Sequence, residues 1–386
     1  MTSAQNWWKR TSNTVGSAWR GMPKWVRILA TLLFVAFLYI LPNKEFYEYL
    51  NIPGVWIPLY TTGVEFPSAL FFATWMILLT LGLNIVCGYA GLLDLGFFGF
   101  FAVGAYTVAL LTSPDSKLIT EYHWLESPWP WLVTVPIAVS LALLSGVLLG
   151  WPTLRLRGDY LAIVTLGFAE VIRIIARNQD WILNGDRGIT RVGHPPGKWS
   201  DGKAIFGILD TRPYYWLGLT LIILVIFVSR NLVRSRVGRA WIAIREDEDA
   251  AELMGVPTFK FKLWAFAMGA SIGGLSGTLW AGQNSFVNSS TFSLENSILV
   301  LAALLLGGAG SIGGAILGGF LVVYVPEWLR SLPFLPESID VNKYRYLVFG
   351  IILVVMMIFK PGGIWPNRRR VEEYKDRAKE VAVGVV

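Results

Sequence analysis

The sequence predicts an all-α fold: a polytopic membrane helix bundle of about ten spans, some of them short or broken. Three observations predict it. Of 386 residues, 54% are hydrophobic and only 15% charged, whereas soluble domains carry about 25% charged residues. The chain holds 18 Trp and 39 Gly; indole rings favour the headgroup boundary, and Gly is commoner in membrane helices than in soluble ones. Finally, apolar runs approaching the roughly 20 residues that a spanning helix needs recur along the chain.

The same composition excludes several classes of function. One cysteine, Cys87, permits no intrachain disulfide. The two histidines, His123 and His194, lie far apart in polar connections and suggest no His/Cys metal cluster. No Gly-x-x-x-x-Gly-Lys-[Ser/Thr] string occurs; the nearest, Gly197-Lys198-Trp199, fails on spacing and hydroxyl, so no P-loop is expected. Neither a nucleophile elbow nor a zinc-binding helix is present. The expectation is a chain with no catalytic residue, no metal and no cofactor of its own, and with no nucleic-acid partner.

The first apolar run, 28–41, comes late and lacks a small-residue cleavage pattern, so it reads as a signal anchor. Lys9, Arg10, Arg20, Lys24 and Arg27 precede it and place the N-terminus in the cytoplasm. Trp7, Trp8, Trp19 and Trp25 among those cations read as an interfacial helix. The expected organisation is a cytoplasmic segment 1–25, a transmembrane domain 26–360 and a cytoplasmic basic tail 361–386. Spans are predicted at 26–41, 66–87, 97–112, 129–150, 159–177, 213–229, 261–281, 294–306, 312–326 and 344–360. The runs 97–112, 294–306 and 312–326 are too short to stand alone and require cover by neighbouring protein or a helix broken by design.

Ten spans put both termini inside, and the distribution of cations agrees. Arg155 and Arg157 fall in one predicted cytoplasmic connection. The loop 230–260 carries Arg230, Arg234, Arg236, Arg239, Arg245 and Lys260, with Lys262 just beyond, and the tail carries Lys360, Arg368, Arg369 and Arg370. The outer connection 113–128 has only Lys117 against Asp115, Glu121 and Glu126. The outer loop 178–212 departs from the rule, with Arg187, Arg191, Lys198, Lys203 and Arg212 beside Asp180, Asp186, Asp201 and Asp210. Tyr89-Ala90-Gly91 after the second span and Trp280-Ala281-Gly282 after the seventh occupy similar places. Spans two to five and seven to ten then form an inverted repeat, although shared membrane composition produces the same likeness.

The most informative stretch is the cytoplasmic segment 238–255. Asp247 can act as an N-cap, with Glu248 and Asp249 in the first turn where acidic groups suit the helix dipole. Gly255 is the expected left-handed terminator, with Pro257 just beyond. A helix so short is unstable alone and must pack against something. Its acidic start suits an anionic leaflet poorly, whereas a groove on a soluble partner fits.

Here the sequence resembles a known family. Asp249-Ala250-Ala251-x-x-x-Gly255 is similar to the cytoplasmic EAA loop of ABC importer permeases, with Asp in place of the usual Glu. Residues 83–111, 157–175, 238–255 and 306–319 sharpen the resemblance to the LivM-type permeases of branched-chain amino acid importers, over about 70–360. Departures lie in 184–203, which follows the family's Gly-rich pattern only loosely, and at Phe97, where relatives often carry His or Tyr. The resemblance implies a permease subunit in the cytoplasmic membrane of a prokaryote, forming the translocation path. It implies a second related permease, two cytoplasmic ATPase subunits that bind the ATP, and an extracytoplasmic substrate-binding protein. Arg239, Glu248, Asp249, Ala250, Ala251 and Gly255 are then the ATPase-coupling residues.

The Gly-rich breaks 88–96 and 307–314 give the candidate translocation path: Gly88, Tyr89, Gly91, Asp94, Phe97, Gly307 and Gly308. Helix-end N–H groups there could receive a carboxylate, while Phe97, Phe98 and Phe101 receive an aliphatic side chain; close helix packing explains the same glycines. Charges inside apolar runs cost roughly 2.5–3.5 kcal/mol on insertion scales, which singles out Glu170, Arg173 and Glu295. Glu170 and Arg173 are three residues apart and can pair, and Asp94 can cap a helix beside Gly96. Two rivals stand beside the amino acid importer. One is a same-family importer of urea, short amides or another small solute; the other is an ion-coupled secondary transporter using Asp94 and the Glu170/Arg173 pair.

Overall fold

The computed structural model describes residues 23–43, 66–156, 159–198, 204–208, 210–330, 347, 350–356, 358, 360 and 362–366. Most of the predicted N-terminal segment 1–25 and basic tail 361–386 lies outside the described residues, as do Arg157, Asp201 and Lys203 of the predicted connections. The chain divides into two units, Met1–Tyr60 and Thr61–Val386. In the first, helix α1 runs Lys24–Ile40, about 26 Å at the usual rise.

The second unit is an all-α membrane bundle. Its helices are α2 (Phe66–Leu83), α3 (Phe97–Thr112), α4 (Lys117–Thr120), α5 (Trp131–Thr153), α6 (Asp159–Asn178) and α7 (Asp180–Leu183). They continue with α8 (Arg212–Arg234), α9 (Arg236–Glu246), α10 (Glu248–Leu253), α11 (Thr258–Asn284), α12 (Leu294–Gly307) and α13 (Ile312–Arg330). Residues 350–356 are also helical. From 26 to 326 each predicted span is met by a helix whose ends fall within a few residues. Two features depart from the sequence reading. Residues Asn84–Tyr89 continue α2 as a π-helical turn, so the break begins later than Gly88. A two-residue antiparallel pairing, β1 (Ile189–Thr190) with β2 (Phe286–Val287), ties two connections together.

By length and composition, four stretches among the described residues suffice to cross a membrane: α2 with its π turn, α3 together with its continuation through α4 to Thr120, α5 and α8. Helix α11 is long, but its apolar character is diluted by Gly and Ser, and the reason is visible in its packing. It sits at the centre, against α5, α3 and α2, and touches protein where a lipid-facing helix would need Leu. A side chain on Gly104 of α3 would begin 2.2 Å from the Gly274 carbonyl oxygen of α11. One on Gly274 would begin 2.3 Å from the Ala142 Cβ of α5, and one on Gly277 2.3 Å from the Phe101 carbonyl oxygen. Backbones meet directly, as they do where small residues drive helix association in lipid.

The second half repeats the scheme. Helix α2 packs on α13 as α11 packs on α5, and α12 pairs with α13 as α3 pairs with α5. The first helix of each half thus lies against the third of the other, the exchange that an inverted repeat produces. At one end, called here the basic end, lie the loop 234–262 and the break after α2. At the opposite end the connections are stitched together. Val192 donates its N–H to Ser285 O at 3.2 Å, Gly193 to Thr112 Oγ1 at 2.9 Å, and Arg191 pairs with Asp115. Arg191, then Thr190, holds the Asp115 carboxyl down at about 2.

The seam generates a paired prediction. Gly274→Leu should destabilise the purified chain by about 1–3 kcal/mol through overpacking, seen as a lowered midpoint and yield in detergent. Gly167→Ala in α6, where nothing lies within 4 Å of the new Cβ, should be neutral or gain up to about 1 kcal/mol from helix propensity.

Candidate functional site

The basic end carries a braced loop set on a junction of glycines. Helix α8 ends at Ser235, whose Oγ accepts the Val237 N–H at 3.1 Å and so caps α9. Trp241 of α9 is fully buried and donates its indole N–H to Phe261 O at 2.7 Å, fixing α9 on the start of α11. Asp247 breaks the helix and caps the next, its Oδ1 accepting the Ala250 N–H at 2.9 Å. Glu248 pairs with Lys262, whose side chain is only 4% exposed.

The short helix α10 ends in a Schellman motif. Val256 donates to Ala251 O at 3.0 Å, Gly255 to Glu252 O at 2.9 Å, and Gly255 has φ +83, the left-handed conformation that favours glycine. Ala251 is buried, while Leu253 and Met254 are 88% and 84% exposed. Asp249, Ala250 and Glu252 are exposed around them. The result is a rigid knob with an apolar tip in an acidic collar. Arg239 lies on the exposed side of α9 and donates to Arg234 O at 3.1 Å.

Behind the knob the two glycine-rich breaks meet. Asn84, at the start of the π turn, is buried, and its Oδ1 accepts the Gly310 N–H at 2.7 Å. Any Cβ on Gly88 would lie 2.0 Å from that Oδ1 and 2.5 Å from Gly310 N. Gly91 has φ +75 and Gly308 φ +120. Residues 362–366 close the group, with Ile364 and Trp365 donating to Leu306 O and Gly307 O, each at 2.9 Å. These two donors satisfy carbonyls that the end of α12 leaves open. Arg245, in the last turn of α9, reaches into the junction and donates from Nη1 to Gly88 O at 2.7 Å.

The structure therefore brings Gly88, Gly91, Gly307 and Gly308 together, with Tyr89 buried beside them. Asp94 and Phe97 lie on the far side of the break. Asp94 is 1% exposed; its Oδ1 accepts the Gly96 N–H at 2.9 Å, and its Oδ2 has no hydrogen-bond partner. Phe97 is fully enclosed, its ring set against the space that Gly82 and Gly273 leave open. Glu170 and Arg173 stand apart, on α6, as an ion pair with Arg173 Nε 2.9 Å from Oε2. Glu295 is exposed in the first turn of α12, also away from the junction. Among the described residues no group of His, Cys, Asp or Glu is placed to hold a metal ion. Sequence reasoning missed Asn84, Trp241, Arg245, Lys262 and the Gly363–Trp365 turn as parts of this site. The legible signals were the amphipathic run 236–246 and the Pro-Gly-Gly string at 361–363.

A multi-pass helix bundle that holds a capped knob over a glycine junction has the architecture of a transport permease. The chain belongs to the family of permease components of branched-chain amino acid transport systems, whose model matches residues 67–357. It is 40% identical over 310 residues to the high-affinity branched-chain amino acid transport system permease protein LivM of Escherichia coli strain K12, covering 76% of this chain and 68% of that one. It is 26% identical over 296 residues to the LivH permease of Salmonella typhimurium, covering 74% and 90%. It is 26% identical over 233 residues to the autoinducer 2 import system permease protein LsrC of Photorhabdus laumondii, covering 59% and 63%. No solved structure matches.

Trp241→Ala should cost the loop about 3–5 kcal/mol of local stability, as deletion of a buried indole does. Limited proteolysis of vesicles that expose the basic end should then cut within 236–256 much faster than in the unaltered protein.

Proposed function

We propose that this chain is the membrane-spanning permease subunit of an ATP-binding cassette importer for branched-chain amino acids. It works beside a second, related permease, receives substrate from an extracytoplasmic binding protein, and is driven by two cytoplasmic ATPase subunits that bind the ATP. Its basic end faces the cytoplasm of a prokaryotic cell, with both termini on that side. The LivM and LivH relatives support the pairing and the substrate class.

The knob is the observation that carries this reading. A six-residue helix has no stability of its own, yet this one is fixed by a cap at each end, by Trp241 and by Glu248–Lys262. What it holds out is Leu253 and Met254, both almost fully exposed. Two large apolar residues held rigidly in an acidic collar suit a groove on a soluble protein. They suit an anionic lipid surface poorly, because Asp249 and Glu252 would be repelled there. The path for substrate is assigned to the glycine breaks, Gly88–Asp94 and Gly307–Gly308. Transporters place their substrate sites at broken helices of this kind. A second reading keeps the mechanism and changes the cargo, and the likeness to an autoinducer 2 permease favours keeping it in view.

Leu253→Ser combined with Met254→Ser should leave the chain in the membrane but release the ATPase subunits on purification. Uptake should fall by about tenfold or more, the loss of at least 1.4 kcal/mol of docking energy. Retention of the ATPases and of uptake would contradict docking through the knob. In a Cys87→Ala background, single cysteines at Glu121 and Glu252 should react with an impermeant thiol reagent from opposite faces. Labelling of both from outside the cell would overturn the orientation.

A further inference from the structure

We propose that Arg245 is the positioning residue that ties the docking knob to both glycine breaks, so that displacement of the knob is delivered to the translocation path. The inference rests on the docking reading above and adds to it the route by which docking acts.

Four observations carry it. Arg245 occupies the last turn of α9, two residues before the Asp247 cap from which α10 departs; it therefore moves with the knob. Its guanidinium bonds Gly88 O at 2.7 Å, one of the carbonyls that the end of α2 leaves open, where a cation is also favoured by the helix dipole. Its stem fills the place of a missing side chain, because a Cβ on Gly91 would lie 2.5 Å from Arg245 Cγ. Its Nη1 lies 2.9 Å from where a Cβ on Gly310 would stand. Gly88 and Gly91 belong to the first half of the bundle and Gly310 to the second, and Asn84 Oδ1 already bonds the two halves through Gly310 N–H. One side chain from the loop is thus lodged between the breaks of both halves.

The elements on either side are stiff. Trp241 pins α9 to α11, and the seam of glycines fixes α11 to α3 and α5. The breaks are the compliant parts: a π turn, whose wider bonding marks a place where a helix is easily remodelled, and a four-residue turn between α12 and α13. Displacement of α9 and α10 by a docked ATPase would be passed by Arg245 to these turns before any spanning helix bends. A guanidinium suits the task because its planar fork keeps a fixed geometry against a carbonyl, which a lysine ammonium does not.

The test uses the complete complex in vesicles, with sister permease, ATPases and binding protein, and compares Arg245→Met and Arg245→Lys with the unaltered chain. Yield of the complex, ATP hydrolysis and leucine uptake are measured on the same preparations. Arg245→Met should assemble and hydrolyse ATP within about twofold of the unaltered complex while uptake falls by about tenfold or more. Arg245→Lys should fall between the two. Uptake by Arg245→Met within about twofold of normal would overturn the proposal. Should Arg245→Met fail to assemble, Arg245→Lys decides. Hydrolysis kept with uptake reduced supports the tie; yield falling in step with uptake makes Arg245 a packing residue and overturns it. A complex with unaltered Arg245 that shows no ATP-driven uptake would reject the importer reading itself, a separate outcome.

Discussion

Direct contact between helix backbones, permitted only by the absence of side chains, is the constraint on which this structure depends. Lipid offers helices no hydrophobic reason to associate, so packing must come from close approach and from hydrogen bonds. Gly104, Gly274 and Gly277 bring α3, α5 and α11 into contact at distances that no Cβ could share. Gly307, Gly314 and Gly318 do the same for α12 and α13, where a Cβ on Gly318 would lie 2.0 Å from Ala303 O. Because the seam of α3, α5 and α11 crosses between the two halves, the halves cannot separate without opening the core.

The same constraint places the site. Irregular backbone is tolerated inside a membrane protein only where its polar groups find partners. Here Asn84 serves Gly310, Arg245 serves Gly88, and Ile364 and Trp365 serve the end of α12. The breaks are therefore not loose ends but satisfied turns, held by residues from three distant parts of the chain. The knob stands on that group and is rigid for a similar reason: Asp247 caps its start, and Gly255 and Val256 donate to its last carbonyls. Leu253 and Met254 are the large apolar side chains that this braced helix leaves exposed.

Much of this was legible in the sequence, because the signals were local. Hydropathy marked the helices, even the short α12 and α13, whose cover by neighbours the structure supplies. Asp247 and Gly255 announced a cap and a terminator, and both behave so, with Gly255 at φ +83. Glu170 and Arg173 were close enough in sequence to pair and do pair. The Tyr89-Ala90-Gly91 and Trp280-Ala281-Gly282 passages hinted at two halves, and the packing of α2 on α13 and of α11 on α5 is in keeping with that. What was hidden was long-range. Arg245 and Gly88 are 157 positions apart, and Asn84 and Gly310 226; neither residue type advertises such a partner. Phe97 looked like a path-lining ring, but its fate depended on Gly82 and Gly273 leaving a space for it. The π turn gave no local signal; its first residue, Asn84, is bonded to Gly310 in a turn 226 positions away.

Under the proposed function, ATP hydrolysis on the knob side, and no ion gradient, drives solute through this bundle. Uptake of labelled leucine into vesicles carrying the complete complex measures it directly. ATP is supplied on the face bearing the knob, binding protein on the other, and proton and sodium gradients are collapsed. Uptake should require ATP and binding protein together and be indifferent to ionophores. Uptake driven by an imposed proton or sodium gradient without ATP would contradict it, and would turn attention to the buried Asp94 carboxylate and the Glu170–Arg173 pair as the coupling groups.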